Sequence, residues 1–223
     1  MKQSTAILLF SRSASAEAKN ALTLKGVDRQ VVVTQLIRKA EKLARQSDLP
    51  LFRSNERNQH STTFGQNLSA AVGEVFAAGY TQVLVMGNDC PQLRLSDLRK
   101  CEKKLNAGQT VLGPDLRGGA YLLGIRKDNF DQRRFAALSW QSTSLWSDLQ
   151  ELFPSAFQLR SLRDVNKGED LLALLDFLRA NRHFARLAQL VTGILPPLFQ
   201  LKRRLRSLFY RAATSLRGPP QLA

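Results

Sequence analysis

Residues 82–91 of the chain read QVLVMGNDCP. The run from Gln82 to Met86 is short, mostly apolar and unbroken, which is typical of a buried strand in a parallel sheet. Gly87 ends this run, Asp89 follows it, and Pro91 stiffens the turn. The stretch therefore predicts a buried strand that presents an acidic side chain just beyond its carboxyl end.

The sequence on both sides of this stretch alternates between short apolar runs and longer segments with helical spacing. The other predicted strands are 5–10, 49–53, 110–112, 120–125 and 157–162. The predicted helices are 28–46, 64–76, 96–105, 142–153 and 168–178. Such alternation predicts a three-layer α/β/α, Rossmann-like fold, in which helices cover both faces of a mostly parallel sheet.

The composition fits one α/β domain with an appendage. A chain of 223 residues with 43% hydrophobic content can form one sizeable core. We expect a folded domain over residues 1–180 and a helical tail over residues 181–223. Two cysteines, and two histidines that are far apart in sequence, favour neither a disulfide framework nor a zinc site of the His/Cys type.

The tail carries much of the positive charge. The net charge is +15, and from Phe177 onwards the sequence has Lys and Arg but no Asp or Glu. Residues 198–217 combine an apolar stripe with basic side chains, which favours two alternatives: binding to an anionic membrane surface, or packing on the domain or a partner subunit. Nucleic acid is a weaker candidate because the tail has no aromatic platform. We expect a cytoplasmic protein with no transmembrane segment, peripheral at the inner membrane face if the tail binds lipid.

Three polar segments follow predicted strand ends. They are residues 11–19, 87–91 and 113–119. In an open α/β sheet, ligands bind beyond the carboxyl ends of the strands. We therefore predict that these three segments form the walls of one site.

The chemistry of these segments suits a phosphate-containing ligand. Asp89 is placed to hold Mg²⁺ or Mn²⁺, which prefer oxygen ligands and neutralise a diphosphate. Its alternative role is to cap the turn through a side-chain hydrogen bond. The adjacent Gly118 and Gly119 allow close approach of a ligand to backbone amides, with Asp115 and Arg117 as polar partners. The alternative for this segment is an ordinary connection between two strands.

Several motifs, taken in order, resemble a known family. Gly-x-Asp-Cys-Pro-x-Leu begins at Gly87, Leu-Gly-Pro at Leu112, Gly-Gly-x-Tyr at Gly118, and an Asp-Val-Asn-x-x-Glu-Asp-Leu segment at Asp164. Trp140 and Ser142 match a further position. Together they resemble a bacterial family of GT-A-like proteins, long catalogued as a domain of unknown function, which includes proposed glycosyltransferases linked to arsenosugar biosynthesis. The molybdenum-cofactor and phospholactate guanylyltransferases are more distant relatives.

The resemblance implies a GT-A domain of the nucleotide-diphospho-sugar transferase superfamily. It implies a site for a nucleotide or a nucleotide-sugar, with Asp89 as the metal ligand and Lys19 as a phosphate contact. Asp115 is the candidate catalytic residue, which would orient the acceptor or the sugar. The other candidate nucleotide-binding residues are Ser11, Arg12, Gly87, Gly113, Arg117, Gly118 and Gly119.

Three departures from the family pattern leave two functions open. Ala21 stands where the family has an arginine, Arg117 where it has an acid, and Asn166 where it has a second aspartate. The first function is a metal-assisted glycosyltransferase or nucleotidyltransferase-like enzyme. The second is a degenerate GT-A domain that binds nucleotides without catalysis or serves as a scaffold. Such a module could act at the membrane or away from it. Trp140 could stack on a ligand, but we expect it in the core.

Overall fold

The computed structural model describes residues 4–16 and 29–193, and its centre is a six-stranded sheet. The strands are β1 (Thr5–Phe10), β2 (Leu51–Ser54), β3 (Gln82–Met86), β4 (Val111–Pro114), β5 (Ala120–Arg126) and β6 (Phe157–Gln158). Their order across the sheet is β2-β1-β3-β5-β4-β6. The apolar run that begins at Gln82 is therefore an interior strand, and all five of its residues are buried.

The α-helices lie between the strands along the chain and after the last strand. They are α1 (Arg29–Gln46), α2 (Phe64–Ala77), α3 (Leu95–Asn106), α4 (Gln132–Ala136), α5 (Leu145–Leu152), α6 (Gly168–Ala173), α7 (Leu175–Ala180) and α8 (Ala185–Gly193). Helices α2 and α3 each end within one residue of the predicted position. Gly79 and Gly108 follow α2 and α3 with φ of 98° and 85°, a conformation that glycine adopts without strain.

Five of the six strands run in the same direction. β1 pairs in parallel with β2 and β3, and β4 pairs in parallel with β6. β5 lies between β3 and β4 and is antiparallel to both, so β4 regains the direction of β3. The carboxyl ends of β1, β3, β4 and β6 consequently lie at one edge of the sheet.

Helices cover both faces of the sheet, which confirms the predicted three-layer α/β/α arrangement. On one face, α2, α4 and α5 pack against alternate strand residues such as Leu8, Val85 and Leu123. On the other face, α1 and α3 pack against Ile7, Leu84 and their neighbours. A third apolar cluster joins the outer side of α1 to α6, α7 and α8.

Some boundaries differ from the predictions, and local chemistry explains them. The strand predicted at 157–162 is paired only at Phe157–Gln158, with one further bridge from Leu162 to Asp115. The helix predicted at 168–178 is two helices that meet at Leu174. The helix predicted from residue 142 begins at Leu145. In the first two cases burial continues where regular hydrogen bonding does not, at Leu159 and Leu162 and at Leu174 and Leu175. In the third case, residues 142–144 are polar and exposed, and the helix begins at the first buried residue, Leu145.

The packed part of the chain continues beyond residue 180. Phe184, Leu187 and Val191 are buried in the third cluster against residues of α1 such as Val32 and Leu36. The division into 1–180 and 181–223 stays a prediction, and residues 198–217 lie outside those described. Within 4–16 and 29–193, no helix has the length and hydropathy to cross a membrane.

The close packing of α3 on β5 depends on Gly124. A Cβ at this position would lie 2.5 Å from Cys101 Sγ and 3.1 Å from Val111 Cβ. We expect Gly124→Ala to lower the free energy of unfolding by about 1–3 kcal/mol, because the added methyl group overpacks the core. Gly73→Ala on α2 is the matched control. Its Cβ meets only ordinary contacts from 3.7 Å.

In the control, alanine should raise the free energy of unfolding by about 0.5–1 kcal/mol, because glycine is unfavourable inside a helix. Urea unfolding of the two variants measures both changes. Equal or greater stability of Gly124→Ala would contradict the packing described for α3 and β5.

Candidate functional site

The segments that follow β1, β3 and β4 lie at the same edge of the sheet, as the sequence predicts. Ser11 directly follows β1, and its amide donates to the Ser54 carbonyl at 3.0 Å, which extends the pairing with β2. Arg12 follows it and is exposed. Lys19 and Ala21 lie outside the described residues. The predicted phosphate contact of Lys19 therefore stays a prediction.

A fourth segment, residues 162–167, completes this edge; we call it the Asp164 segment. The Leu162 amide donates to the Pro114 carbonyl at 3.1 Å, and the Val165 amide donates to the Asp89 carbonyl at 2.8 Å. The segment thus joins the loop after β4 to the loop after β3. Asp164, which lies between these two contacts in sequence, is brought to Asp89 and Asp115.

Asp164 is a strongly perturbed carboxyl group at this edge. It is only 7% exposed, and its Oδ1 has no hydrogen-bond partner among the described residues. Burial, together with the neighbouring charges of Asp89 and Asp115, raises the pKa of Asp164 to about 9. The Asp164 and Asp115 carboxyl groups are close enough to share a hydrogen bond, and the Cys90 thiol is a further hydrogen-bonding neighbour of Asp164.

The residues at this edge fit a divalent cation. The buried Oδ1 of Asp164 has no hydrogen-bond partner among the described residues, and two further carboxyl groups lie beside it. A cation bound there would offset the negative charge of ionised carboxyl groups. Across residues 4–16 and 29–193, however, no group of three or more His, Cys, Asp or Glu side chains has a metal-holding arrangement. Magnesium sites commonly use one or two carboxylates and complete their coordination with water and substrate phosphates. The edge suits that kind of site rather than a cage made only of protein ligands.

The Asp89 carboxylate lies close to the backbone of Gly87, two residues before it in the chain. A Cβ placed on Gly87 would lie 2.8 Å from Asp89 Oδ1, so a side chain at position 87 would displace this carboxylate from its present position. Gly87 thus has a role in shaping the turn. It makes room for Asp89, the residue that the sequence predicts as the metal ligand.

The glycine-rich turn after β4 is closed by its own aspartate. Asp115 Oδ1 accepts hydrogen bonds from the amides of Arg117 and Gly119 at 2.6 and 2.8 Å. Gly118 has a φ of 89°, and a Cβ there would lie 2.4 Å from the Thr143 carbonyl oxygen. The Gly119 amide, which we expected to meet a phosphate, therefore already has a partner in this structure. The same holds for the amide of Arg117.

Two other residues that we predict to contact the nucleotide, Arg117 and Gly113, are in contact with other parts of the protein. The Arg117 guanidinium donates to the carboxylate of Asp170. Gly113 is buried inside β4, and a Cβ there would lie 2.7 Å from the ring of Tyr121. Gly113 thus provides space for an aromatic ring, which is a packing role that the sequence pattern does not reveal. The predicted binding roles of both residues are not tested by these contacts.

The loop after β3 is held from two sides. Arg160 donates to both carboxylate oxygens of Asp97, at 3.2 and 2.8 Å, and to the Gln92 carbonyl at 3.1 Å. From α1, Lys39 donates to the Leu93 carbonyl, and burial lowers the pKa of Lys39 to about 8. These contacts fix the loop that carries Asp89.

Trp140 is half-buried and packs against the core, which agrees with the packing role expected for it. Its Nε1 donates to the Phe135 carbonyl at 2.8 Å, and its ring packs edge-on against Phe135 at a centroid distance of 5.0 Å. A Cβ on Gly65 would lie 2.4 Å from the indole ring. The side chain is therefore fixed by packing between α2 and α4.

Sequence reasoning missed Asp164 and Asp170 as residues of this edge. Asp164 stands in the last family-like motif, but the strand before it has only two paired residues and gives a weak signal. Its nearness to Asp89 follows from the pairing of β4 with β6, which periodicity does not show. A search for acidic residues after every apolar run would have included Asp164.

A family of bacterial proteins matches residues 16–142, which is more than half of the chain. Its description is "Uncharacterized protein conserved in bacteria (DUF2064)". The chain belongs to this family. The resemblance drawn from the ordered motifs is thereby confirmed at the level of the family. No curated protein matches the chain in sequence.

Solved structures share the fold. A proposed nucleotide-diphospho-sugar transferase from Desulfovibrio desulfuricans G20 superposes with a TM-score of 0.76 at 20% identity, over 86% of this chain and 98% of that one. The homologue of Mycobacterium tuberculosis Rv0371c from Mycobacterium sp. strain JC1 has a TM-score of 0.50 at 12% identity, over 79% of this chain and 98% of that one. These similarities confirm the GT-A-like fold of this DUF2064 member.

Asp164 should destabilise the protein in the absence of a cation. We expect Asp164→Asn to raise the free energy of unfolding at neutral pH, on the order of 1–2 kcal/mol, because Asp164 has to take up a proton on folding whereas asparagine is neutral in both states. Urea unfolding in the presence of a chelator measures this change. A loss of stability would contradict the crowding of Asp164 with Asp89 and Asp115.

Asp170 should stabilise the protein in a pH-dependent way. Burial opposes its ionisation, but backbone hydrogen bonds from Lys167 and Asn166 and the Arg117 guanidinium hold the pKa of Asp170 below its usual value. Its stabilising effect is therefore present above the usual pKa of aspartate, about 4, and is lost as the pH falls through the lowered value.

The matched variant is Asp170→Asn, which has no charge to lose. Near neutral pH we expect it to be less stable than the parent by about 2 kcal/mol, because hydrogen bonds to a charged group are lost. Urea unfolding of both proteins across a pH series should show this difference shrinking at acid pH. A difference that stays constant would contradict the assignment.

Proposed function

We propose that the protein is a metal-assisted transferase that acts on a nucleotide or a nucleotide-sugar at the edge formed by Asp89, Asp115 and Asp164. The observation that carries this proposal is the unsatisfied, buried Oδ1 of Asp164 beside two further carboxyl groups. Such an arrangement is unfavourable for the fold alone. Perturbed carboxyl groups at a strand-end crevice are typical of functional sites.

Each carboxyl group has a distinct part in the proposal. Asp89 and Asp164 would hold Mg²⁺ or Mn²⁺, and the bound cation would neutralise charge that develops on a diphosphate leaving group. Asp115 is fixed by the amides of its own turn and would orient the acceptor or the sugar. Ser11 and Arg12, at the end of β1, would border the nucleotide.

The fold supports the class of substrate. The Desulfovibrio desulfuricans protein, with its TM-score of 0.76, has the name of a nucleotide-diphospho-sugar transferase, and it aligns over most of both chains. A glycosyltransferase of the arsenosugar-linked type is the narrower proposal within the DUF2064 family. It rests on the motif resemblance alone.

A second candidate function is a nucleotide-binding or scaffold module without catalysis. The observation that favours it is the state of the glycine-rich turn, in which Asp115 engages two amides and Asp170 engages Arg117. A phosphate would have to replace these internal contacts to bind there. In this alternative, the edge keeps its shape but no longer turns over a substrate.

Binding of donors with and without metal separates the two functions. We expect one nucleoside diphosphate sugar to raise the melting temperature of the protein with Mn²⁺ and to have little effect with a chelator. Asp89→Asn and Asp164→Asn should each weaken this metal-dependent binding by about tenfold or more, since each removes a charged ligand. Isothermal titration with the selected donor measures the affinity.

Asp131→Asn is the matched control. Asp131 also accepts two backbone amides, at the start of α4, but it follows β5 and lies away from the strand ends that carry the site. It should bind the donor and Mn²⁺ as the parent does. If no donor in a panel of nucleoside diphosphate sugars and nucleoside triphosphates gives a metal-dependent shift, the transferase proposal fails and the scaffold function is favoured.

Membrane association through the tail, residues 181–223, stays a proposal. The basic stretch at 198–217 motivates it, and none of the contacts among the described residues bears on it. Any truncation that removes the tail should end after Gly193. Such a cut retains α8, which packs on the domain through Leu187 and Val191.

A further inference from the structure

Asp170 is the most heavily engaged carboxylate among the described residues near the site. It is 1% exposed and accepts from four donors on two parts of the chain. Its Oδ1 accepts from Arg117 and from Arg163, the latter at 3.3 Å. Its Oδ2 accepts from the backbone amides of Asn166 and Lys167, at 3.0 and 2.8 Å.

Three of these donors belong to the Asp164 segment. Arg163 precedes Asp164, while Asn166 and Lys167 follow it, so Asp170 holds the segment on both sides of the buried carboxyl group. The fourth donor, Arg117, belongs to the turn that carries Asp115. A single side chain therefore connects the two loops that bring Asp164 and Asp115 together.

The segment needs such a connection because it has no regular structure. Between Leu162 and α6 the backbone forms neither strand nor helix. Two backbone hydrogen bonds join it to the sheet edge, one donated by the Leu162 amide and one by the Val165 amide. The segment also places the Asp164 side chain, which is 7% exposed and has an Oδ1 without a hydrogen-bond partner among the described residues, beside the carboxyl groups of Asp89 and Asp115. Burial of an unsatisfied polar group opposes this placement of the segment.

We propose that Asp170 is a positioning residue, which holds the Asp164 segment against the sheet edge and thereby sets Asp164 between Asp89 and Asp115. The inference rests on the proposed function only in its last step, that Asp164 helps to hold a cation. Asp170 itself would touch neither the cation nor the substrate. Outer residues that orient metal ligands commonly change metal affinity by about 10–100-fold when they are replaced.

The two cysteines of the chain provide a direct readout of the segment. Cys90 is buried next to Asp164, whereas Cys101 is buried on α3 against β5. Movement of the Asp164 segment would uncover Cys90 without uncovering Cys101. Global unfolding would uncover both, so the ratio of the two labelling rates separates a positioning role from a general loss of stability.

The experiment measures native-state thiol labelling of the full chain, with the two sites separated by peptide mass analysis. In Asp170→Asn we expect Cys90 to react about tenfold faster than in the parent, because hydrogen bonds to a charged group are lost. The reactivity of Cys101 should change little. Asp131→Asn, which also loses carboxylate contacts to backbone amides, should leave both rates unchanged.

A second variant keeps the test decisive if Asp170→Asn folds poorly. Arg163→Gln retains the buried carboxylate and its Arg117 partner, and removes only one partly exposed donor. It should raise the Cys90 rate in the same direction by a smaller factor. If Asp170→Asn and Arg163→Gln leave the ratio of Cys90 to Cys101 labelling at the parent value, the positioning role is overturned.

Binding of Mn²⁺ alone, measured by isothermal titration, tests the final step. We expect the affinity to fall by about tenfold or more in Asp170→Asn and to be unchanged in Asp131→Asn. If Cys90 becomes selectively reactive but no donor of the panel gives a metal-dependent shift with the parent, the proposed function fails while the positioning role stands. If the parent binds Mn²⁺ and Asp170→Asn binds it equally well, the positioning role of Asp170 is overturned and the proposed function stands.

Discussion

The burial of Asp164 beside Asp89 and Asp115 is the constraint on which the candidate site depends. Burial and the neighbouring charges disfavour ionisation of Asp164 and raise its pKa to about 9, so this carboxyl group is protonated at neutral pH. The fold keeps this unfavourable arrangement at the edge where the five strands of common direction end. The cation that we propose to bind there would displace the proton of Asp164 and offset the negative charge of the carboxylates.

Three arginines near this edge form ion pairs with aspartates and thereby hold loops in place. Arg160 pairs with Asp97 after β3, and Arg117 and Arg163 pair with Asp170 at the start of α6. Both acidic partners stand in the first turn of a helix, where they also accept backbone amides. The same structural device thus fixes the loop that carries Asp89 and the segment that carries Asp164.

Much of the fold could be predicted from the sequence, since it depends on local patterns. The runs at Thr5–Phe10 and Gln82–Met86 are apolar after their first residue, and Gly79 and Gly108 mark helix ends by their backbone freedom. The site was predictable only in part. Asp89 follows an unmistakable strand, whereas Asp164 follows a strand of two residues, and its role arises from pairing between distant segments. The ion pair of Arg117 likewise depends on a partner that no local pattern indicates.

The short β6 strand has a consequence for the order in which the protein is completed during synthesis. β1 to β5 and the helices between them precede it along the chain, and they already contain Asp89 and Asp115. The last carboxyl group, Asp164, is synthesised only after Phe157–Gln158, the strand that pairs with β4. A nascent chain that stops before β6 has the residues of five strands and two of the three carboxyl groups of the edge. The carboxyl group whose burial the fold has to support is thus the last part of the acidic edge to be synthesised.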